Sequence, residues 1–203
     1  MSNPTIRTIA GATAPRSIDP ASTALLVIDF QNEYFTGRMP IPDGTEALAN
    51  ARRLIAMADE TGMPVYHVQH VTPAGAPIFA EDGETVGFHP DIAPSAGHEV
   101  VRKSSVSVFP TTDIDKQLKA EGIKTLIITG LMTHACVSGA ARDAVPLGYD
   151  VIVAHDACAT RDITGPSGAT VSHDALHQAS LVTLADTFAD VLGTDEILAL
   201  PHA

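Results

Sequence analysis

Three side chains in this sequence are of types that combine in covalent catalysis. Asp29 closes the apolar run Ala24-Leu25-Leu26-Val27-Ile28, Lys103 closes EVVRK (99–103), and Cys136 lies in TGLMTHACVSGAARDAV (129–145), just beyond Leu126-Ile127-Ile128. A thiol attacks as its thiolate, and both a helix N-terminus and a nearby ammonium favour that form. A carboxylate beside the thiol can take its proton and return it to a leaving group. Each residue alone has a plainer reading. Free cysteine packs as a small hydrophobe, an aspartate after a strand caps a turn, and Lys103 beside Arg102 is a solvated charge. Together they outweigh those readings, because ligands of open parallel sheets collect beyond the carboxyl ends of the strands. An acid, a cation and a thiol on one rim point to attack on a carbonyl.

Several elements must bring these residues together. Residues 24–30, 64–71, 99–103, 124–130 and 150–159 are short apolar strands, with 181–186 as a last one. Helical spacing covers 44–62, where Leu48, Leu54, Ile55 and Ala58 share a face and Gly62 supplies a stop. A second helix spans 111–122, with Thr112 as N-cap, Asp115 in its first turn and Gly122 at its end. The Cys136 helix runs to about Leu147 before Gly148, residues 167–180 are helical, and TDEILAL closes the chain. Apolar strands alternating with helices predict an α/β fold whose parallel sheet is covered on both faces. The first 20 residues read as an irregular arm, and 72–98 as a long Pro- and Gly-rich loop of functional type.

With 203 residues and 45% hydrophobic content, the chain suits one sizeable domain, residues 1–203. Twelve basic against 24 acidic residues give a net charge of −12, and no basic cluster or arm appears, so nucleic acid is not an expected partner. No apolar run approaches membrane-spanning length, and the N-terminal residues lack an apolar segment of the signal-peptide type. Two cysteines, Cys136 and Cys158, make no disulfide framework. The expected location is cytoplasmic.

LLVIDFQNEYF, VVRKSSVSVF and TGLMTHACVSGAARDAVPLGYDVIVAHDACAT together resemble the isochorismatase-like cysteine hydrolases, from about residue 22 to 198. That superfamily includes nicotinamidases, N-carbamoylsarcosine amidases, ureidoacrylate hydrolases and isochorismatases. The resemblance implies a Rossmann-like three-layer sandwich on a mainly parallel six-stranded sheet, a small-molecule substrate, and a homo-oligomer, dimer or tetramer. It also implies Asp29, Lys103 and Cys136 as catalytic triad. Cys136 would form a thioester, Asp29 would shuttle the proton, and Lys103 would keep Asp29 ionised and favour the thiolate. A cis peptide at Leu131–Met132 would aim the Met132 and Cys136 N–H groups at the oxyanion.

Metal-dependent nicotinamidases carry an Asp-x-His pair where this chain has Gln69 and Val71, so neither a metal nor another cofactor is expected. His67 and His70 straddle Gln69 and read as polar residues at a strand end rather than ligands. His173 and His177, four apart, lack the glutamate of H-E-x-x-H and read as a helix face. Cys158 reads as packing. Gln31 is placed to order Asp29 or contact substrate, Gln69 to bind substrate polar atoms, and Phe35, Phe109, Met132 and His134 to line the pocket. The expected reaction is cysteine-dependent cleavage of a C–N bond in a small amide, carbamoyl or ureido compound. Its rivals are an isochorismatase-type vinyl-ether hydrolase, which needs no thiol, and a non-catalytic flavodoxin-like binding or redox-sensing module.

Overall fold

The structure, a computed structural model, describes residues 3–203. Six strands form its central sheet: β1 (Thr23–Ile28), β2 (Val65–His70), β3 (Glu99–Lys103), β4 (Thr125–Leu131), β5 (Asp150–Ala159) and, later in the chain, β8 (Asp190–Leu192). All pair in parallel in the order β3-β2-β1-β4-β5-β8. A two-stranded antiparallel hairpin, β6 (Ile163–Thr164) and β7 (Thr170–Val171), stands apart from the sheet.

Strand residues alternate between two apolar layers, as the period of two requires. Leu25, Val27 and Ile127 face one cluster, which helix α2 (Gly44–Thr61) covers with Leu48, Ala51, Leu54 and Ala58. Leu26, Ile28 and Ile128 face the other, covered by α3 (Ile114–Ala120), α4 (Ser138–Ala144) and α5 (His173–Thr187). Each fully buried aliphatic side chain contributes about 1.5–3 kcal/mol, and the β1 segment Ala24–Ile28 is at most 1% exposed. The three-layer α/β architecture is the expected one. Among the described residues, no helix is long and apolar enough to cross a membrane.

Several local readings change. Residues 181–186 are not a strand but the second half of α5, where Leu181 and Leu184 are buried one turn apart while Val182 is exposed. No glycine or proline separates them from the preceding helical residues, and the last strand lies four residues later, at β8. The expected start at 167 also moves. Ser172 caps α5 by accepting from the Ala175 N–H, and 163–171 form the hairpin. Helix α3 starts after Asp113 rather than Thr112, but it is the Thr112 hydroxyl that accepts from the first helical N–H, that of Ile114, at 3.3 Å while donating to the Val108 carbonyl. Helix α4 ends at Ala144, two residues before Pro146, which has no N–H to continue it. The N-terminal arm contains one helical turn, α1 (Ile6–Ile9), tied to the end of α5 by the Ile6 N–H on Asp186.

Strand order reverses between β1 and β4, which opens a crevice beyond their carboxyl ends. The two strands approach closely there: a Cβ on Gly130 would lie 2.4 Å from the Ile28 carbonyl oxygen, so only glycine fits. The 71–98 segment is bound to the β1–α2 connection instead of hanging free. The Asn32 N–H donates to Gly87, the Glu33 N–H to Thr85 and the His89 N–H to Phe30.

Candidate active site

Each of the three chemistry-bearing residues leaves the sheet at a strand end. Asp29 follows β1 directly with φ +54°, a left-handed backbone uncommon for a residue with a side chain. Lys103 ends β3, two strands away, roughly 10 Å at ordinary strand spacing, and its four-carbon stem crosses the end of β2 to reach Asp29. Beyond β4 the Leu131–Met132 peptide is cis, and Thr133–Val137 form one π-helical turn before α4. Cys136 lies in that turn.

Lys103 Nζ is 2.8 Å from Asp29 Oδ2, with both side chains fully buried. Three further acceptors surround the same nitrogen, His70 Nδ1 at 2.7 Å, the Ser105 carbonyl at 3.1 Å and Cys136 Sγ at 3.4 Å. An Asp29 oxygen, a His70 ring nitrogen and Cys136 Sγ all lie within 4.8 Å of one another. Such a set resembles metal ligands, but the Lys103 ammonium already supplies the cation among them. The positions the resemblance associates with a metal do not fit one either. Gln69 gives its amide N–H to the Val86 carbonyl at 3.0 Å, and Val71 has no donor atom.

Burial raises the Asp29 carboxyl above its ordinary range, against the opposing pull of Lys103. Burial also raises the Cys136 thiol, and the Asp29 charge adds to that, while Lys103 opposes it. Burial and the Asp29 charge thus favour the thiol form, and Lys103 is the group that favours the thiolate. A thiol next to a buried carboxylate needs a proton acceptor at the moment of attack, and Asp29 is within reach. Cys158 is buried with its thiol pushed up to about 12 by burial, and the Asp156 charge adds to that.

The substrate-contact expectations divide. Gln31 is 0% exposed and its amide is committed to the scaffold, donating to the His70 and Val86 carbonyls and accepting from the His70 N–H. It positions the end of β2 rather than meeting substrate. Phe109 stacks at 6.2 Å on Tyr149, which precedes β5 at the opposite, amino end of the strands. Its apolar ring is drawn to the α3–α4 layer, away from the triad. Phe35, in the connection after β1, packs at a tilt against His89 with ring centroids 4.5 Å apart. Gln69 is half-buried at the end of β2, and Met132 is buried in the turn after β4. His134 bonds Thr160 Oγ1 at 2.7 Å, which ties the Cys136 turn to the end of β5.

Three further residues were not singled out as site residues from the sequence. His70 is a direct neighbour of Lys103. Tyr34 is 1% exposed, and burial raises its phenol pKa, with the Asp29 charge adding to that. Arg161 is half-buried, its charge reaches Tyr34 and His134, and its Nε is buried without a hydrogen-bond partner. Sequence periodicity carries no sign of these, since His70 is the last residue of β2 and the other two lie in connections. His67 pairs instead with His98 (3.0 Å) on the far side of β2. His173 is an ion-pair partner of Asp162 at 2.7 Å, and His177 bonds Thr133 at 2.8 Å.

Comparison with known proteins agrees with this architecture. The Isochorismatase domain family model matches residues 23–196. An isochorismatase-family protein of Bacillus subtilis is 36% identical over 87% of this chain and 99% of its own. Maleamate amidohydrolase of Pseudomonas putida is 29% identical over 83% of this chain and 82% of its own. The crystal structure of an isochorismatase from Pseudomonas putida KT2440 superposes with a TM-score of 0.89 at 31% identity, covering 97% of this chain and all of that one (100%). This chain belongs to the isochorismatase-like hydrolase superfamily.

Proposed function

We propose that the protein is a cysteine-dependent amidohydrolase that cleaves the C–N bond of a small amide, carbamoyl or ureido substrate. The observation that carries this reading is the buried Lys103 ammonium, 2.8 Å from the Asp29 carboxylate and 3.4 Å from the Cys136 sulfur. Asp29 takes the Cys136 proton as the sulfur attacks the carbonyl carbon. The Met132 and Cys136 backbone N–H groups receive the oxyanion. Asp29 then passes the proton to the leaving nitrogen, the C–N bond breaks, and a thioester remains. Water, deprotonated by Asp29, hydrolyses that thioester and restores the thiol.

Arg161 narrows the substrate. Its guanidinium is half-buried with Nη1 on the Asp162 carbonyl at 3.1 Å, and a half-buried cation whose charge reaches Tyr34 and His134 is suited to a carboxylate. An acyclic amide bearing a carboxylate fits both this cation and the triad, and maleamate, the compound named for the Pseudomonas putida relative, is of that kind. The test is ammonia release from a panel of small amides and ureas, each with and without a carboxylate. Turnover of carboxylated members by the wild type, lost in Cys136→Ala, is the expected result. Turnover retained by Cys136→Ala, or pyruvate release from a vinyl ether without amide hydrolysis, would remove this reading.

A further inference from the structure

The Lys103 ammonium has three protons and four acceptors around it. Asp29 Oδ2, His70 Nδ1, the Ser105 carbonyl and Cys136 Sγ stand at 2.8, 2.7, 3.1 and 3.4 Å. Lysine only donates, so the His70 Nδ1 that meets it is an acceptor and the ring proton sits on Nε2. One neighbour must go without a proton, and the sulfur is the farthest.

The fold holds His70 in this place from several sides. The Gln31 amide grips both backbone polar groups of His70, accepting from its N–H at 2.8 Å and donating to its carbonyl at 2.9 Å. Phe79 packs on the imidazole at 5.0 Å and meets Tyr34 at 5.3 Å. Phe79 also has φ +54°, a conformation rare for so large a side chain, and its carbonyl accepts from the Thr72 N–H. Asp29 and Phe79 are the two non-glycine residues with positive φ among the described residues. One presents the acid to Lys103, and the other presses the imidazole toward it.

We propose that His70 is a positioning residue of the catalytic cluster: its Nδ1 accepts a hydrogen bond from one Lys103 N–H in the resting enzyme and keeps the ammonium off the Cys136 sulfur. The nucleophile then waits as a thiol. When Asp29 accepts the thiol proton, the S–H bond breaks and an O–H bond forms. The Lys103 N–H that had pointed at His70 turns to the new thiolate. Burial and the Lys103 charge lower the His70 pKa to about 4, which keeps the ring neutral and able to accept.

This inference rests on Cys136 as the nucleophile, but its readout uses no substrate, so an unproductive substrate screen leaves it testable. The rate of iodoacetamide addition to Cys136, assigned by mass spectrometry, would be measured against pH for wild type, His70→Phe and His70→Asn. Phenylalanine keeps a ring against Phe79 but removes the acceptor, whereas asparagine keeps an acceptor oxygen at the same branch position. In His70→Phe the freed N–H turns to sulfur, and the profile moves down by about one pH unit, with alkylation about three- to tenfold faster near neutrality. His70→Asn keeps the wild-type profile. A His70→Phe profile that stays in place or moves up, or an asparagine variant that shifts as far as phenylalanine, overturns the proposal. Should either variant fail to fold, nitrogen NMR of histidine-labelled wild type decides the same point. A neutral ring with bare Nδ1 near neutral pH is expected, and a proton on Nδ1 overturns it.

Discussion

Cys136 and Cys158 are two buried thiols in one apolar cluster, 5% and 4% exposed. Burial raises the pKa of both. Their surroundings part company in charge. Cys136 lies in the turn after β4 with a lysine and an aspartate at hand, while Cys158 lies inside β5, opposite Gly130. Burial by itself makes a thiol inert. On the proposed reading, Cys136 owes its reactivity to a buried acid that can take the proton and a buried cation that can then hold the thiolate.

The largest expected effect breaks this comparison outright. Cys136→Ala should lower turnover by about a thousandfold or more, whereas Cys158→Ala should keep it and lose about 1 kcal/mol of stability from the small cavity. Turnover assays and denaturant melts of both variants check the contrast, and equal loss in the two would end it.

Lys103→Met should come next, because it leaves the fully buried Asp29 carboxylate without its cation. We expect about 3–5 kcal/mol of lost stability, the usual penalty for orphaning a buried charge. Turnover should fall, and Cys136 alkylation should slow at neutral pH as the thiol pKa rises. Unchanged alkylation kinetics would show that the lysine does not act on the sulfur.

Acid sharpens the comparison more gently. His67 and His70 both have folded pKa values lowered from 6.5 to about 4, burial being the first cause in each. A group favoured neutral in the fold contributes stability that is complete above about 6.5 and is lost as pH falls toward 4. Melting temperature should therefore decline across that window, and less steeply in His67→Leu, which has no ring to protonate. Turnover should fall over a higher range than an ordinary carboxylate would set, since Asp29 must be ionised and burial raises its pKa. A pH-independent melting temperature from 7 to 4.5 would contradict the histidine assignment.

The smallest effect is expected from metal removal. Gln69 is bonded to Val86 and Val71 offers no donor, so dialysis against a chelator should leave the hydrolysis rate unchanged. Loss of activity restored by zinc, iron or manganese would reverse that expectation.

The amino-acid sequence by itself determined the alternation of strands and helices, the α/β class, and the positions of Asp29, Lys103 and Cys136 at strand ends. Those features are local: an apolar run, a stop residue and a reactive side chain follow one another within a few residues. It misread 181–186 as a strand because a short apolar run carries either period until packing chooses, and Leu181 and Leu184 pack as a helix face. It placed Phe109 near the triad, although that ring stacks on Tyr149 at the other end of the sheet. Only the tertiary structure decided that Gln31 serves the scaffold, that Arg161 brings its charge near Tyr34, and that His70 stands against Lys103. These contacts join residues tens of positions apart across three strand ends. A parallel sheet sets such neighbours by strand order and register, which no single stretch of sequence contains.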